Sequence, residues 1–102
     1  EEVVLHNNKT NEKTEFKTNG VFIAIGYEPA IELAQKMGLE INEDGYIQQD
    51  GKHHTSIPGI YSAGDVEGGY KQIVTASGQG AEAAMTIFED LINPYWLDGK
   101  KE

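Results

Sequence analysis

Apolar positions along this chain fall into short clusters separated by polar turns. Val3-Val4-Leu5 and Glu15 to Thr18 flank the polar tract Asn7 to Thr14, which predicts two edge strands joined by a surface turn. Asn19-Gly20 makes a second turn, after which Val21-Phe22-Ile23-Ala24-Ile25 runs apolar without interruption. A run of that length with no polar face fits a strand buried between two layers. Gly26 ends it, and Glu28-Pro29 opens a short helix with proline in its first turn, Ile31, Leu33 and Ala34 as its apolar side and Gly38 as its stop. Leu39 to Ile41 and Tyr46 to Gln48 bracket Asn42-Glu43-Asp44-Gly45, where Asp-Gly between alternating segments predicts a hairpin. Asp50-Gly51 turns the chain again, toward a short apolar strand over Ile60 to Ala63.

From about Gln72 to Ile92 the period changes. Ile73, Ala76, Ala81, Ala84, Phe88 and Leu91 recur at spacings that predict a helix of about five turns. Asn93-Pro94 stops it. Tyr95-Trp96-Leu97 is apolar enough to dock, and Asp98 to Glu102 is expected to fray. The helix is rich in small residues: Ala76, Ser77, Gly78, Gly80, Ala81, Ala83 and Ala84. Glycine in a helix interior costs about 1 kcal/mol relative to alanine, so the Gly78 and Gly80 pair implies close approach of something bulky. Packing against the sheet and approach of a cofactor both meet that requirement.

Composition narrows the classes. At 102 residues, 38% hydrophobic and 25% charged, the chain has the make-up of an ordinary folded domain. Eight Lys plus Arg against 17 Asp plus Glu give a net charge of -9. That balance argues against a nucleic-acid or anionic-membrane partner, since both require a basic footprint. No apolar run approaches the roughly 20 residues of a bilayer helix, and the start lacks the pattern of a signal peptide. The expected location is cytoplasmic. Cysteine is absent, so no disulfide, thiolate metal site or cysteine nucleophile lies in these residues. Any redox chemistry here uses a borrowed group. The chain has no initiator Met and opens inside a strand-like run, from which a piece of a longer polypeptide is expected.

The chemistry concentrates after Ile60 to Ala63. That strand ends in Gly64, and the next residue, Asp65, is a carboxylate in a glycine-rich loop. In an open α/β sheet the ligand crevice lies outside the carboxyl ends of the strands, which puts Asp65 where a sugar-alcohol hydroxyl is gripped. The long helix starts only about seven residues later, at Lys71-Gln72-Ile73. Its first turn offers unpaired N–H groups and roughly half a positive elementary charge. An anionic or electron-rich ligand edge is favoured at such a helix start.

Three segments carry a family resemblance. Gly20-Val21-Phe22-Ile23-Ala24-Ile25-Gly26-Tyr27-Glu28-Pro29 resembles the strand that closes the NADPH domain of low-molecular-weight thioredoxin reductases. Thr55-Ser56-Ile57-Pro58-Gly59-Ile60-Tyr61-Ser62-Ala63-Gly64-Asp65 and Tyr70-Lys71-Gln72-Ile73-Val74-Thr75-Ala76-Ser77-Gly78-Gln79-Gly80 are similar to that family's C-terminal FAD segments. The resemblance implies that Gly64 and Asp65 bind the cofactor, with Asp65 bonding the ribityl chain, and that Lys71, Gln72 and Ile73 present backbone amides to the flavin ring. Lys71 stands where the family pattern has arginine, which removes a planar bidentate contact but keeps a positive charge. The family's FAD pyrophosphate turn, NADPH turn and Cys-x-x-Cys have no counterpart in these residues.

Other readings carry less. Gly78-Gln79-Gly80-Ala81-Glu82-Ala83 matches Gly-x-Gly-x-x-Ala, but the room after it is too short for the second strand of a βαβ unit. His53-His54 lacks metal-ligand spacing and reads as a solvated loop pair. Glu40, Glu43 and Asp44 read as turn chemistry rather than a hard-cation site. Glu67 reads as a solvated charge. Tyr27, Tyr61 and Trp96 read as core or interface, and Tyr70 alone lies beside the cofactor stretch.

Together these readings give an α/β chain, an incomplete FAD/NAD(P)-binding fold with one long helix. A composition shift near Gly26-Tyr27 divides it into residues 1–26, the last strands of an NADPH domain, and residues 27–102, the C-terminal portion of an FAD domain. The implied cofactors are FAD here and NADPH in a full-length parent, and the implied partner is a thioredoxin-like redox protein. No catalytic residue and no metal ligand is expected in the chain, which by itself is expected to be inactive and to self-associate as a homodimer. A ferredoxin-NADP reductase of the thioredoxin-reductase-like type and a non-catalytic domain that keeps the fold are the alternatives.

Overall fold

The computed structural model describes residues 1–100. Strands β1 (Glu2–His6) and β2 (Lys13–Lys17) pair antiparallel, with Glu2 opposite Lys17 and Val4 opposite Glu15. The turn between them is built by Asn7. Its backbone N–H donates to the Glu12 carbonyl at 2.9 Å, and its side-chain oxygen accepts from the Lys9 and Thr10 N–H groups. The opposite charges at Glu2 and Lys17 favour this register. The two strands and the turn between them are those that the sequence predicts.

The next segment departs from expectation. Residues 21–25 form no strand, and Phe22 is 98% exposed. A run that is apolar on both faces becomes a strand only between neighbours that bond its edges and cover its faces. No described residue does so.

Helix α1 (Glu32–Met37) is short and starts three residues after Pro29 rather than with proline in its first turn. Its N-cap is Ile31, whose carbonyl accepts from the Gln35 N–H at 2.9 Å. Gly38 ends it in a left-handed conformation (φ 80°), and its N–H returns to the Gln35 carbonyl. This is the glycine stop that the sequence implies.

The Asp44-Gly45 hairpin forms, with Ile41 bridged to Ile47 and the Asn42 side-chain oxygen accepting from the Asp44 and Tyr46 N–H groups. Ala34, Leu39 and Ile47 make the small core, and Ile31, Ile41, Ile57, Ile60 and Val66 pack around it. The expected strand over Ile60 to Ala63 is reduced to one bridge between Tyr61 and His54, because the segment it pairs with, His53 to Thr55, is itself a loop. A 3-10 turn over Asp65–Glu67 follows.

Helix α2 (Ile73–Ile92) has the expected length. Its inward stripe differs from the expected apolar face. Ala83 and Asp90 are buried, and Ala76, Gln79 and Thr86 are half-buried, so residues 76, 79, 83, 86 and 90 face the rest of the chain. Ile73, Phe88 and Leu91 face outward. A final 3-10 turn, Tyr95–Lys100, takes in the backbone of residues 98–100, where fraying is expected, and residues 101 and 102 lie outside the described residues. Tyr95 docks on the His54 ring with centroids 4.2 Å apart, so the tail does pack. Among the described residues no helix is long and apolar enough to cross a membrane.

Candidate functional site

The loop after Ala63 is set by glycine. Gly64 has φ 88° and ψ -155°, a conformation that L residues with a Cβ rarely adopt. Its N–H donates to the Gln79 side-chain oxygen at 3.0 Å, which ties the loop to the middle of α2. Asp65 then starts the 3-10 turn, closed by the Glu67 N–H on the Gly64 carbonyl and the Gly68 N–H on the Asp65 carbonyl. Asp65 is exposed. Among the described residues its carboxylate meets no hydrogen-bond donor.

Across from Asp65 lies the start of α2. Gln72 is extended at the N-cap, and its N–H donates to Thr75 Oγ1 at 3.3 Å while its carbonyl accepts the first helical bond, from Ala76. Ile73 is the first helical residue and its side chain stands almost free. The N–H groups of the first turn have no intrahelical acceptor by the geometry of any helix. Lys71 has a left-handed backbone (φ 52°), and its ammonium lies 4.7 Å from the Tyr46 ring centre and 5.6 Å from that of Tyr27. This cation-π placement holds the charge beside the turn without neutralising it.

Ala63, Gly64, Asp65, Lys71, Ile73, Ala76, Ser77 and Gly80 line one open cleft of about 600 Å³. The structure thus brings Gly64, Asp65, Lys71 and Ile73 together, whereas Gln72, the N-cap of α2, is not among the residues that line the cleft. A Cβ added at Gly80 would meet nothing within 4 Å, so the glycine wall of α2 is open toward the cleft rather than packed on the chain. A free carboxylate, a bare glycine wall and free N–H groups at a helix start suit a ligand with hydroxyls on a chain and a planar, electron-rich end. FAD fits that description at its ribityl and ring portions.

Behind the cleft the structure overturns two expectations. His53 and His54 are 5% and 9% exposed, not a solvated pair. His53 Nδ1 lies 3.0 Å from the Glu67 carboxylate and its Nε2 lies 3.4 Å from Glu82 of α2. His54 Nδ1 and Nε2 lie 2.7 Å from Asp50 and Asp90, and the Tyr61 hydroxyl donates to Asp90 at 2.6 Å. Glu67 is not a solvated charge either. Its side chain is 2% exposed and also accepts from the Ser62 hydroxyl. Burial draws both imidazoles down, and their carboxylate partners outweigh it, so both end raised. Burial and then the Asp90 bond push the Tyr61 phenol up to about 12. The apolar spacing gave no signal for this knot, because Asp90 lies off the expected stripe of Ile73, Ala76, Ala81, Ala84, Phe88 and Leu91. Residues 78–83, the Gly-x-Gly-x-x-Ala match, lie inside α2 with no strand before them, so no dinucleotide turn forms there.

The family comparisons agree with this architecture. A family model described as pyridine nucleotide-disulphide oxidoreductase matches residues 1–80, and the chain belongs to that family. Within it the likeness is to the low-molecular-weight thioredoxin reductases. The chain is 43% identical over 86 residues to a thioredoxin reductase of Bacillus subtilis, covering 83% of this chain and 27% of that protein. It is 45% identical over 86 residues to a 34.2 kDa protein in the rubredoxin operon of Clostridium pasteurianum, covering 83% of this chain and 28% of the relative. The crystal structure of thioredoxin reductase from Streptococcus pyogenes superposes with a TM-score of 0.66 at 35% identity, over 89% of this chain and 30% of that one. The chain therefore spans between a quarter and a third of the length of these proteins.

Proposed function

We propose that these residues are the flavin-holding C-terminal portion of a thioredoxin reductase, a cytoplasmic homodimer in which NADPH reduces the disulfide of a thioredoxin-like protein by way of FAD. Residues 1–26 end the NADPH domain and residues 27–102 end the FAD domain. The observation that carries this reading is the cleft in which the Asp65 carboxylate faces the start of α2, in a chain of this family. FAD, when bound, would supply the redox chemistry that links NADPH to a disulfide.

The chain's own residues bind and orient. Asp65 accepts from a ribityl hydroxyl, a charge-assisted bond. Gly64 lets the backbone come close, and the open wall at Gly80 leaves room for the ring. The N–H groups of Lys71 and Ile73 would hold the electron-rich edge of the ring, the Gln72 N–H being engaged by Thr75. The partial positive charge of the helix start and the Lys71 ammonium both favour the more negative, reduced form. The dithiol comes from outside these residues, so the chain by itself does not turn over.

The test is FAD affinity in the full-length enzyme. Asp65→Ala removes a bond of about 1.5 to 3 kcal/mol, so equilibrium dialysis is expected to give a dissociation constant raised by about ten- to a hundredfold. An unchanged constant would refute the ribityl role.

A further inference from the structure

We infer that His53 is a positioning residue for flavin binding, which clamps Glu67 to α2 and thereby fixes the turn that presents Asp65. The inference rests on the flavin reading of the Asp65 cleft. Asp65 and Glu67 are the two ends of a single 3-10 turn, so whatever holds Glu67 sets the backbone on which Asp65 is mounted. Glu67 is held by two groups. Both its oxygens lie 3.0 Å from His53 Nδ1, and Oε1 also takes the Ser62 hydroxyl.

The other ring nitrogen of His53 reaches Glu82 at 3.4 Å. Glu82 stands on α2, the helix whose Ala76, Ser77 and Gly80 form the opposite wall of the cleft. One imidazole thus links the carboxylate-bearing turn to the helix that carries the facing wall. Its own backbone is fixed in a left-handed conformation (φ 70°), with the N–H donating to the Gln49 side-chain oxygen and the carbonyl accepting from Ser62. A non-glycine residue keeps such a conformation only where its surroundings over-determine it.

Protonation decides whether the clamp is complete. An imidazolium donates from both nitrogens, whereas a neutral ring donates from one and leaves either Glu67 or Glu82 without its bond. The charged groups facing His53 are Glu67 from the turn and Glu82 from α2; on its own loop, Asp50 and His54 pair with each other and with Asp90 instead, and Lys52 is exposed. The two facing carboxylates outweigh burial and hold the ring above its usual 6.5.

The experiment is a titration of FAD binding to the full-length apoenzyme from about pH 6 to about pH 9, with wild type, His53→Gln, Glu82→Gln, Asp65→Ala and the His53→Gln/Asp65→Ala double variant. Wild-type affinity is expected to fall as pH rises, with a midpoint that matches the His53 titration followed by ring nitrogen chemical shifts. His53→Gln is expected to weaken binding about tenfold at the acid end and to remove that pH dependence. In the Asp65→Ala background the same substitution should have little further effect, because both act through one contact. Independent, multiplicative losses, or a wild-type affinity that ignores the His53 titration, would overturn the inference. Should His53→Gln fail to fold, Glu82→Gln decides: it changes an exposed partner and is expected to move the midpoint to lower pH, and an unmoved midpoint counts against the clamp. An Asp65→Ala protein that binds FAD as tightly as wild type would instead sink the flavin reading of the cleft.

Discussion

Two histidines, four carboxylates and two hydroxyls form the polar knot behind the cleft, and each bond in it depends on charge. His53 and His54 are raised from 6.5 because burial, which lowers them, is outweighed by Glu67 and Glu82 for the first and by Asp50 and Asp90 for the second. Asp90 is lowered from 3.8 chiefly by the Tyr61 hydroxyl, and Asp50 is lowered because the bonds from His54 and nearby N–H groups outweigh its burial. A raised histidine contributes stability that is complete below 6.5 and lost as pH climbs through its folded value. A lowered aspartate contributes stability that is present above 3.8 and lost as pH falls through its folded value. Stability from the knot is therefore greatest between pH 3.8 and 6.5. Urea midpoints across pH are expected to decline on the alkaline side, and the decline should be shallower in His54→Gln. A midpoint that rises from pH 6.5 upward would contradict these bonds.

Helix α2 serves two demands on adjoining faces. Its inward stripe holds the loop through Gln79 on Gly64 and Asp90 on His54, while Gly80 keeps the cleft wall bare. These demands separate in one substitution. Gly80→Ala places a methyl where nothing lies within 4 Å and raises helix propensity, so it should stabilise this chain by up to about 1 kcal/mol in urea unfolding. The same methyl projects from the cleft lining, so in the full-length enzyme FAD affinity should fall. A gain in stability with unaltered FAD affinity would show that the ring does not approach this face. The hairpin at Asn42 to Gly45 and the Gly38 stop follow from local chemistry and make no such double demand.

Over the whole molecule the dimensions are telling. The chain extends 71 × 25 × 19 Å with a radius of gyration of 20.9 Å, against about 13 Å for a compact domain of this length. Phe22, Ile23 and Ile25 stand uncovered, as do Phe88, Leu91 and Ile92 at the end of α2. Unpaired strand edges and apolar patches recruit other chains, so the 102-residue protein is expected to self-associate, with sedimentation equilibrium showing a concentration-dependent dimer or larger species. A monomer at every concentration would show that these surfaces tolerate water. The same chain should purify colourless. Two or three hydrogen bonds of about 1 kcal/mol each fall short of an association cost of about 4 kcal/mol or more. Stoichiometric flavin absorbance would contradict that.

Local chemistry wrote the β1–β2 turn, the Gly38 stop, the Asn42 hairpin, the span of α2 and the sequence run from Gly64 to Ile73 that the fold gathers at one cleft. Each depends on dihedral preference, capping or spacing within a few residues, and the family likeness is carried by the same contiguous segments. Tertiary structure alone decided the rest. Val21 to Ile25 has strand composition and no strand, since pairing needs a neighbour that composition cannot supply. The inward face of α2 follows Ala83 and Asp90 rather than the largest apolar residues, because polar bonds from the loop hold it there. His53, His54 and Glu67 look like surface charges when read one at a time. Their partners at Glu82 and Asp90 lie 29 and 36 residues along the chain from the two histidines, and only folding brings those charges close enough to make burial favourable.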